Sequence, residues 1–187
     1  MENFFNPSQC VGFAAMILGI ISYQFNDRKK LLIIQAVMGL LWTVSFYLLG
    51  KEGFTGAAMN LIGTVRSFAY ANKDKKILSH PIIPYFFSAL FIISGILTYA
   101  GWKSILPIIA MVLLSFVFWN DNTGKPRKLN LPCNVLWLVY DGLCLSWTGV
   151  ITELFMMTSI IIAMVRFDRL KKAEAAGHDT ENPEENN

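Results

Sequence analysis

Charge is what this chain of 187 residues has least of: 16% of it is Asp, Glu, Lys or Arg, against roughly a quarter in soluble domains. It is missing altogether from residues 3–26, 31–50 and 82–102. A soluble core has no use for so many long uncharged runs, whereas a hydrocarbon layer about 30 Å thick is crossed by about 20 helical residues. Histidine is scarce too, and His80 and His178 both fall outside the apolar runs, which excludes histidine-based metal or triad chemistry within them. Cys10, Cys133 and Cys144 have no metal-ligand spacing and form no disulfide framework, so they read as small apolar residues. No metal and no cofactor are expected. The apolar runs contain serines but no base to activate one, and no second aspartate lies deep enough to form a catalytic pair with Asp141, so the chain does not read as an enzyme. The formal net charge of +3 comes from lysines and arginines between the runs and is not a nucleic-acid signal.

What the sequence does contain is seven apolar segments, at about 8–25, 31–50, 54–71, 84–101, 104–119, 130–147 and 149–167, read as transmembrane helices. Polar punctuation separates them: Asn26-Asp27-Arg28-Lys29-Lys30, Gly50-Lys51-Glu52-Gly53, Lys73-Asp74-Lys75-Lys76 and Gly101-Trp102-Lys103-Ser104. Trp102, Trp119 and Trp147 stand at segment ends, where an interfacial belt would place them. With the N-terminus outside, the cytoplasmic segments hold Arg28, Lys29, Lys30, Arg66, Lys73, Lys75, Lys76, Lys125, Arg127, Lys128, Arg166, Arg169, Lys171 and Lys172. Only Lys51 and Lys103 are left outside, which satisfies the positive-inside rule and puts the C-terminus in the cytoplasm. The first segment is preceded by Glu2 and no basic residue, the reverse of a signal peptide. The polar tail, 171–187, reads as disordered.

The chain also resembles itself. At an offset of 95, Met16 meets Met111, Leu41-Trp42 meets Leu136-Trp137, and Val44 meets Val139; a five-residue shift then brings Val65-Arg66 onto Val165-Arg166. Helices 1–3 therefore repeat as helices 5–7 with the same orientation, and helix 4 is a linker. The expected fold is an all-α polytopic membrane protein of 3+1+3 plan: a first three-helix bundle over 1–72, a linker loop and helix over 73–103, and a second bundle over 104–170. Parallel repeats of this kind are a transporter plan with the site between the halves.

This plan resembles that of the SWEET, PQ-loop and nicotinamide-riboside-carrier group. Asn60-x5-Arg66, Glu153-x12-Arg166-Phe167 and the total length make the whole chain similar to the YgjV-type bacterial inner-membrane proteins, which implies residence in the bacterial inner membrane. In sugar-carrying members of the wider group, a tryptophan on the second helix and an asparagine on the third helix of each triple line the pocket. Trp42 and Asn60 match those roles in the first half and Trp137 does in the second, while Ile160 stands where a second asparagine would be. The Pro-Gln dipeptide is absent and no proline interrupts helices 1 or 2; Pro107 and Pro132 are expected in first turns, starting their helices.

The candidate site centres on helix 6. Asn130, Asn134, Trp137 and Asp141 fall at i, i+4, i+7 and i+11, one helix face, and their repeat mates are Gln35, Gly39, Trp42 and Phe46. The bland alternative is that both tryptophans pack a seam between bundles. Asp141, expected about two turns inside the membrane, would cost about 2.5–3.5 kcal/mol if charged near the bilayer centre and needs a partner. Asn60, Asn134 and Glu153 are the candidates, and Asp141 with Glu153 could share a proton and couple transport to it. Arg66 and Arg166 read either as lipid anchors that snorkel to the cytoplasmic surface or as an inner gate. The substrate-binding set is Trp42, Asn60, Asn134, Trp137 and Asp141, suited to a small polar ring-containing solute such as a sugar, nucleoside or vitamin. The alternative is a non-transporting membrane scaffold or sensor. Membrane lipid is the expected surrounding partner, and a homo-oligomer is compatible with the plan but not required by it.

Overall fold

The computed structural model describes residues 6–22, 28–119 and 124–162. Each apolar run becomes helix: α1 (Pro7–Ser22), α2 (Arg28–Leu48), α3 (Phe54–Ala71), α4 (Ile83–Leu97), α5 (Ile105–Trp119), α6 (Gly124–Leu143) and α7 (Trp147–Ile162). Short 3-10 turns at Gly50–Gly53 and Trp102–Ser104 lead into α3 and α5. No strand occurs among the described residues. Arg166 and the tail from 171 lie outside them.

Three boundaries depart from expectation by four residues or more. α4 stops at Leu97, where Thr98 leaves helical dihedrals (φ −103°, ψ 16°) and Gly101 takes a φ of 105° that a side chain would resist. α6 starts at Gly124, so Pro132 lies inside the helix rather than in its first turn. Its missing N–H leaves one carbonyl a turn earlier without a helical partner. α6 also ends at Leu143, which puts Asp141 in the last turn and not two turns in.

The end of α6 is a Schellman motif: Ser146 N–H donates to the Asp141 carbonyl at 2.9 Å and Leu145 N–H to the Gly142 carbonyl at 3.3 Å. Leu145 occupies the left-handed position (φ 57°) that glycine normally fills. The chain can then turn within three residues into α7.

α2 packs most extensively against α3 and α1, α5 packs against α6, and α4 bridges α3 and α5. The outside of this assembly is apolar. α2 exposes Ile33, Val37, Leu40, Val44 and Tyr47, a single stripe by spacing, and α3 exposes Leu61, Val65 and Phe68. In water, each large aliphatic side chain on that exterior would forgo about 1.5–3 kcal/mol of burial. Polar side chains are turned inward instead: Arg66, Asn130, Asn134, Asp141, Thr148 and Thr152 are all buried. Lys29–Leu48 and Trp102–Trp119 are long and apolar enough to cross a membrane by themselves; Pro7–Ile21, Ile83–Leu97 and Trp147–Ile162 are apolar but shorter. α3 and α6 fall below that measure because they carry the inward-facing polar groups.

One end of the bundle, termed the upper end, gathers the start of α1 and the α2–α3, α4–α5 and α6–α7 turns. Ser8 Oγ donates to the Ser45 carbonyl (2.8 Å) and Ser45 Oγ to the Ser8 carbonyl (2.9 Å), joining α1 to α2. Gln9 Nε2 donates to the Leu145 carbonyl (3.1 Å), while its Oε1 accepts from Thr148 N–H (3.0 Å) and Thr148 Oγ1 (2.9 Å). Tyr140 Oη accepts from Gly56 N–H (2.9 Å) and donates to the Glu52 carbonyl (3.2 Å), which also accepts from Cys144 Sγ (3.1 Å). The first-turn N–H groups of a helix have no partner within it. So α1 caps α7 through Gln9, and α6 caps α3 through Tyr140. Thr55 adds a bond to the Thr98 carbonyl at 2.7 Å, and Lys103 pairs with Glu52 across the same end. At the lower end, Tyr70 Oη donates to the Ser115 carbonyl (3.0 Å) and Lys73 Nζ to the Trp119 carbonyl (3.0 Å), tying α3 and the turn that follows it to α5.

Candidate functional site

Between the α2–α3 side and the α5–α6–α7 side lies a cavity of about 100 Å³. Its walls include Gln35, Gly39, Trp42 and Phe46 on α2 and Asn130, Asn134, Trp137 and Asp141 on α6, the two sets of repeat mates. Asn130 and Asp141 are eleven residues apart on one helix, so the cavity runs for about 16 Å along α6 at 1.5 Å per residue. Asn60, Gly63, Arg66 and Ser67 come from α3, Thr152, Glu153 and Met156 from α7, and Met111, Leu114 and Phe118 from α5.

The structure therefore brings Trp42, Asn60, Arg66, Asn134, Trp137, Asp141 and Glu153 to one cavity. Phe46 sits between the two tryptophans, with ring centroids 5.9 Å from each, and Tyr140 closes the aromatic cluster 5.7 Å from Trp137 and 5.8 Å from Phe46. Gly56 makes room for that cluster, since a Cβ there would stand 2.9 Å from both the Phe46 and Tyr140 rings. Asn60 spends its Nδ2 donor on the Gly56 carbonyl at 2.9 Å.

Arg66 does not anchor to lipid. Its side chain is 3% exposed, with Nη1 donating to the Met111 carbonyl (3.2 Å) and Ser115 Oγ (3.3 Å) and the guanidinium 5.3 Å from the ring centroids of Phe91 and Phe118. The face of α3 that carries Arg66 points at α5, so the side chain cannot reach the surface. Arg166, which the sequence offset pairs with it, lies outside the described residues.

Four buried polar atoms on residues that line this cavity have no protein partner: Arg66 Nε, Asn134 Nδ2, Asp141 Oδ1 and Glu153 Oε2. Buried polar groups are hydrogen-bonded in the great majority of cases, so four orphans on residues of one cavity leave a hydrogen-bonding demand that the protein does not itself meet there. The Asp141 carboxyl rests directly on the α-carbon of Gly149, where any side chain would collide with it. Gly149 was not among the sequence candidates, and neither were Gln9 and Tyr140, which close the upper end. Their partners are 139 and 84 residues away, and no local pattern marks such pairs.

A family model described as Imp-YgjV, bacterial inner membrane protein, matches residues 7–171. The chain belongs to that family. No curated protein and no solved structure matches it. Membership accounts for the apolar exterior with polar side chains turned inward, since an apolar surface is what an inner-membrane protein presents to lipid.

Proposed function

We propose that this Imp-YgjV protein is a carrier of a small polar solute, built as two parallel three-helix bundles, α1–α3 and α5–α7, that rock about the cavity with α4 as their linker. Each described helix crosses the membrane in this reading, with the N-terminus outside and the lysine-rich segments in the cytoplasm. The observation that carries the proposal is the pairing of α2 with α6: equivalent faces of equivalent helices meet across a cavity whose buried polar atoms lack protein partners. A scaffold needs no such cavity, and a dry seam would leave those atoms at a cost of about 1–3 kcal/mol each.

Trp42, Asn60, Asn134, Trp137 and Asp141 bind the solute in this reading, Asp141 and Glu153 handle any coupled proton, and Arg66 closes the lower side. No step of catalysis is involved. A ring-containing solute such as a sugar, nucleoside or vitamin suits the aromatic walls. The cavity is smaller than the roughly 150 Å³ that holds a benzene ring, so the bundles must part to admit one.

The test is a titration of detergent-purified protein with sugars, nucleosides and vitamins, following tryptophan fluorescence and melting temperature together. A saturable response that Trp42→Ala and Trp137→Ala both remove is expected. Silence across the panel from folded protein would favour the scaffold or sensor reading.

A further inference from the structure

Within the cavity the charges do not cancel. Asp141 on α6 and Glu153 on α7 contribute two carboxyl groups, and Arg66 on α3 contributes one guanidinium. Among the described residues neither carboxyl has an ion-pair partner, and each presents an oxygen with no hydrogen bond. Asp141 is 2% exposed, and Arg66 and Asn134, with their own unpartnered nitrogens, are 3% and 7% exposed. Other buried titratable groups on these elements are Cys133 and Tyr140 of α6, Cys144 just after it and Tyr70 of α3; Tyr140 and Cys144 bond to the Glu52 carbonyl and Tyr70 to the Ser115 carbonyl, while Tyr47 of α2 is exposed. α2 and α5 bring only uncharged side chains to the cavity, among them Trp42, Phe46 and Met111.

With both carboxyls ionised, the three groups sum to one net negative charge inside a low-dielectric interior, a state that is strongly disfavoured without a counter-charge. One positive charge restores neutrality. Trp42, Phe46 and Trp137 line the same cavity, and aromatic faces attract cations, most strongly where water is excluded.

We propose that the solute of this cavity carries a single positive charge, as an ammonium or guanidinium group held by Asp141 and Glu153 against the tryptophans, and that it exchanges with one proton on that carboxyl pair. The proposal rests on the carrier reading and narrows it. When the solute enters, the proton leaves a carboxyl for solvent; when the solute leaves, a proton returns. The net charge of the cavity is the same in both states, which is the condition for crossing the membrane loaded or empty.

The full chain, purified in detergent and weakly buffered with a pH-indicator dye, is titrated with methylammonium, guanidinium and benzylammonium. Glucose, uridine, acetate and sodium chloride form the comparison set. The expected result is a saturable fluorescence response to at least one organic cation, release of about one proton for each cation bound, and affinity that falls about tenfold for each pH unit of acidification while the pair is protonating. Asp141→Asn is expected to remove both the response and the proton release. Should Asp141→Asn fail to fold, Glu153→Gln serves in its place. A saturable response to glucose or uridine without proton release would keep the cavity as a binding site and overturn the cation assignment. An equal response to sodium would overturn the organic character of the ligand. Silence from every compound, with the protein folded, would remove the carrier reading along with it.

Discussion

Tyr140→Phe removes one oxygen from the upper end and nothing else. The ring stays, so its contacts with Phe46 and Trp137 persist and the cavity wall keeps its shape. What is lost is the acceptor for Gly56 N–H, the third residue of α3, and a donor to the Glu52 carbonyl. That carbonyl keeps Cys144 Sγ at 3.1 Å, so a single buried N–H is orphaned. An unsatisfied buried donor costs about 1–3 kcal/mol, with about 2 kcal/mol as the working value. For a chain of this size that corresponds to a fall in melting temperature of about 4–8 °C. Thermal unfolding of the purified protein by intrinsic fluorescence reads it directly. Adding Cys144→Ala to Tyr140→Phe strips the Glu52 carbonyl as well, so the double variant should lose more than the sum of the two single changes. A Tyr140→Phe protein that melts within about 1 °C of the parent would refute the assignment of Tyr140 as the cap of α3.

Two other substitutions probe separate features. Leu145→Gly relieves a left-handed backbone that costs an L-residue about 1–2 kcal/mol, and since Leu145 is 63% exposed it gives up little packing; a net gain of about 1 kcal/mol is expected, and a lower melting temperature would contradict it. Arg66→Met takes a cation out of the interior without orphaning its partners, because Ser115 Oγ still donates to the Met111 carbonyl at 2.9 Å. Stability should hold or rise by up to about 2 kcal/mol, and a loss of more than about 2 kcal/mol would make Arg66 a structural residue instead.

The helices were legible in the sequence wherever charge was absent, because a lipid environment demands long uncharged runs and places basic residues between them. Phe54–Ala71 was readable to the residue. The face of α6 was legible for the same kind of reason: Asn130, Asn134, Trp137 and Asp141 share a side by helical spacing alone. The start of α6 was not, because Gly124 to Lys128 reads as a polar loop and Pro132 as a helix opener. Arg66 shows the limit of spacing. Its depth followed from its position in the run, but whether it pointed to lipid or to α5 depended on the rotation of α3 against its neighbours.

By itself, then, the sequence determined an all-helical membrane chain, the approximate position of each helix and which side chains share a face, since these depend on composition and on the 3.6-residue period. Tertiary structure alone decided that α2 and α6 turn the faces carrying Trp42 and Trp137 toward one cavity, that Arg66 is buried, and that Gln9 and Tyr140 cap helices far from them in the chain. Those outcomes depend on how separate helices are rotated and docked, and a helix carries the same residue spacing whichever way it is turned.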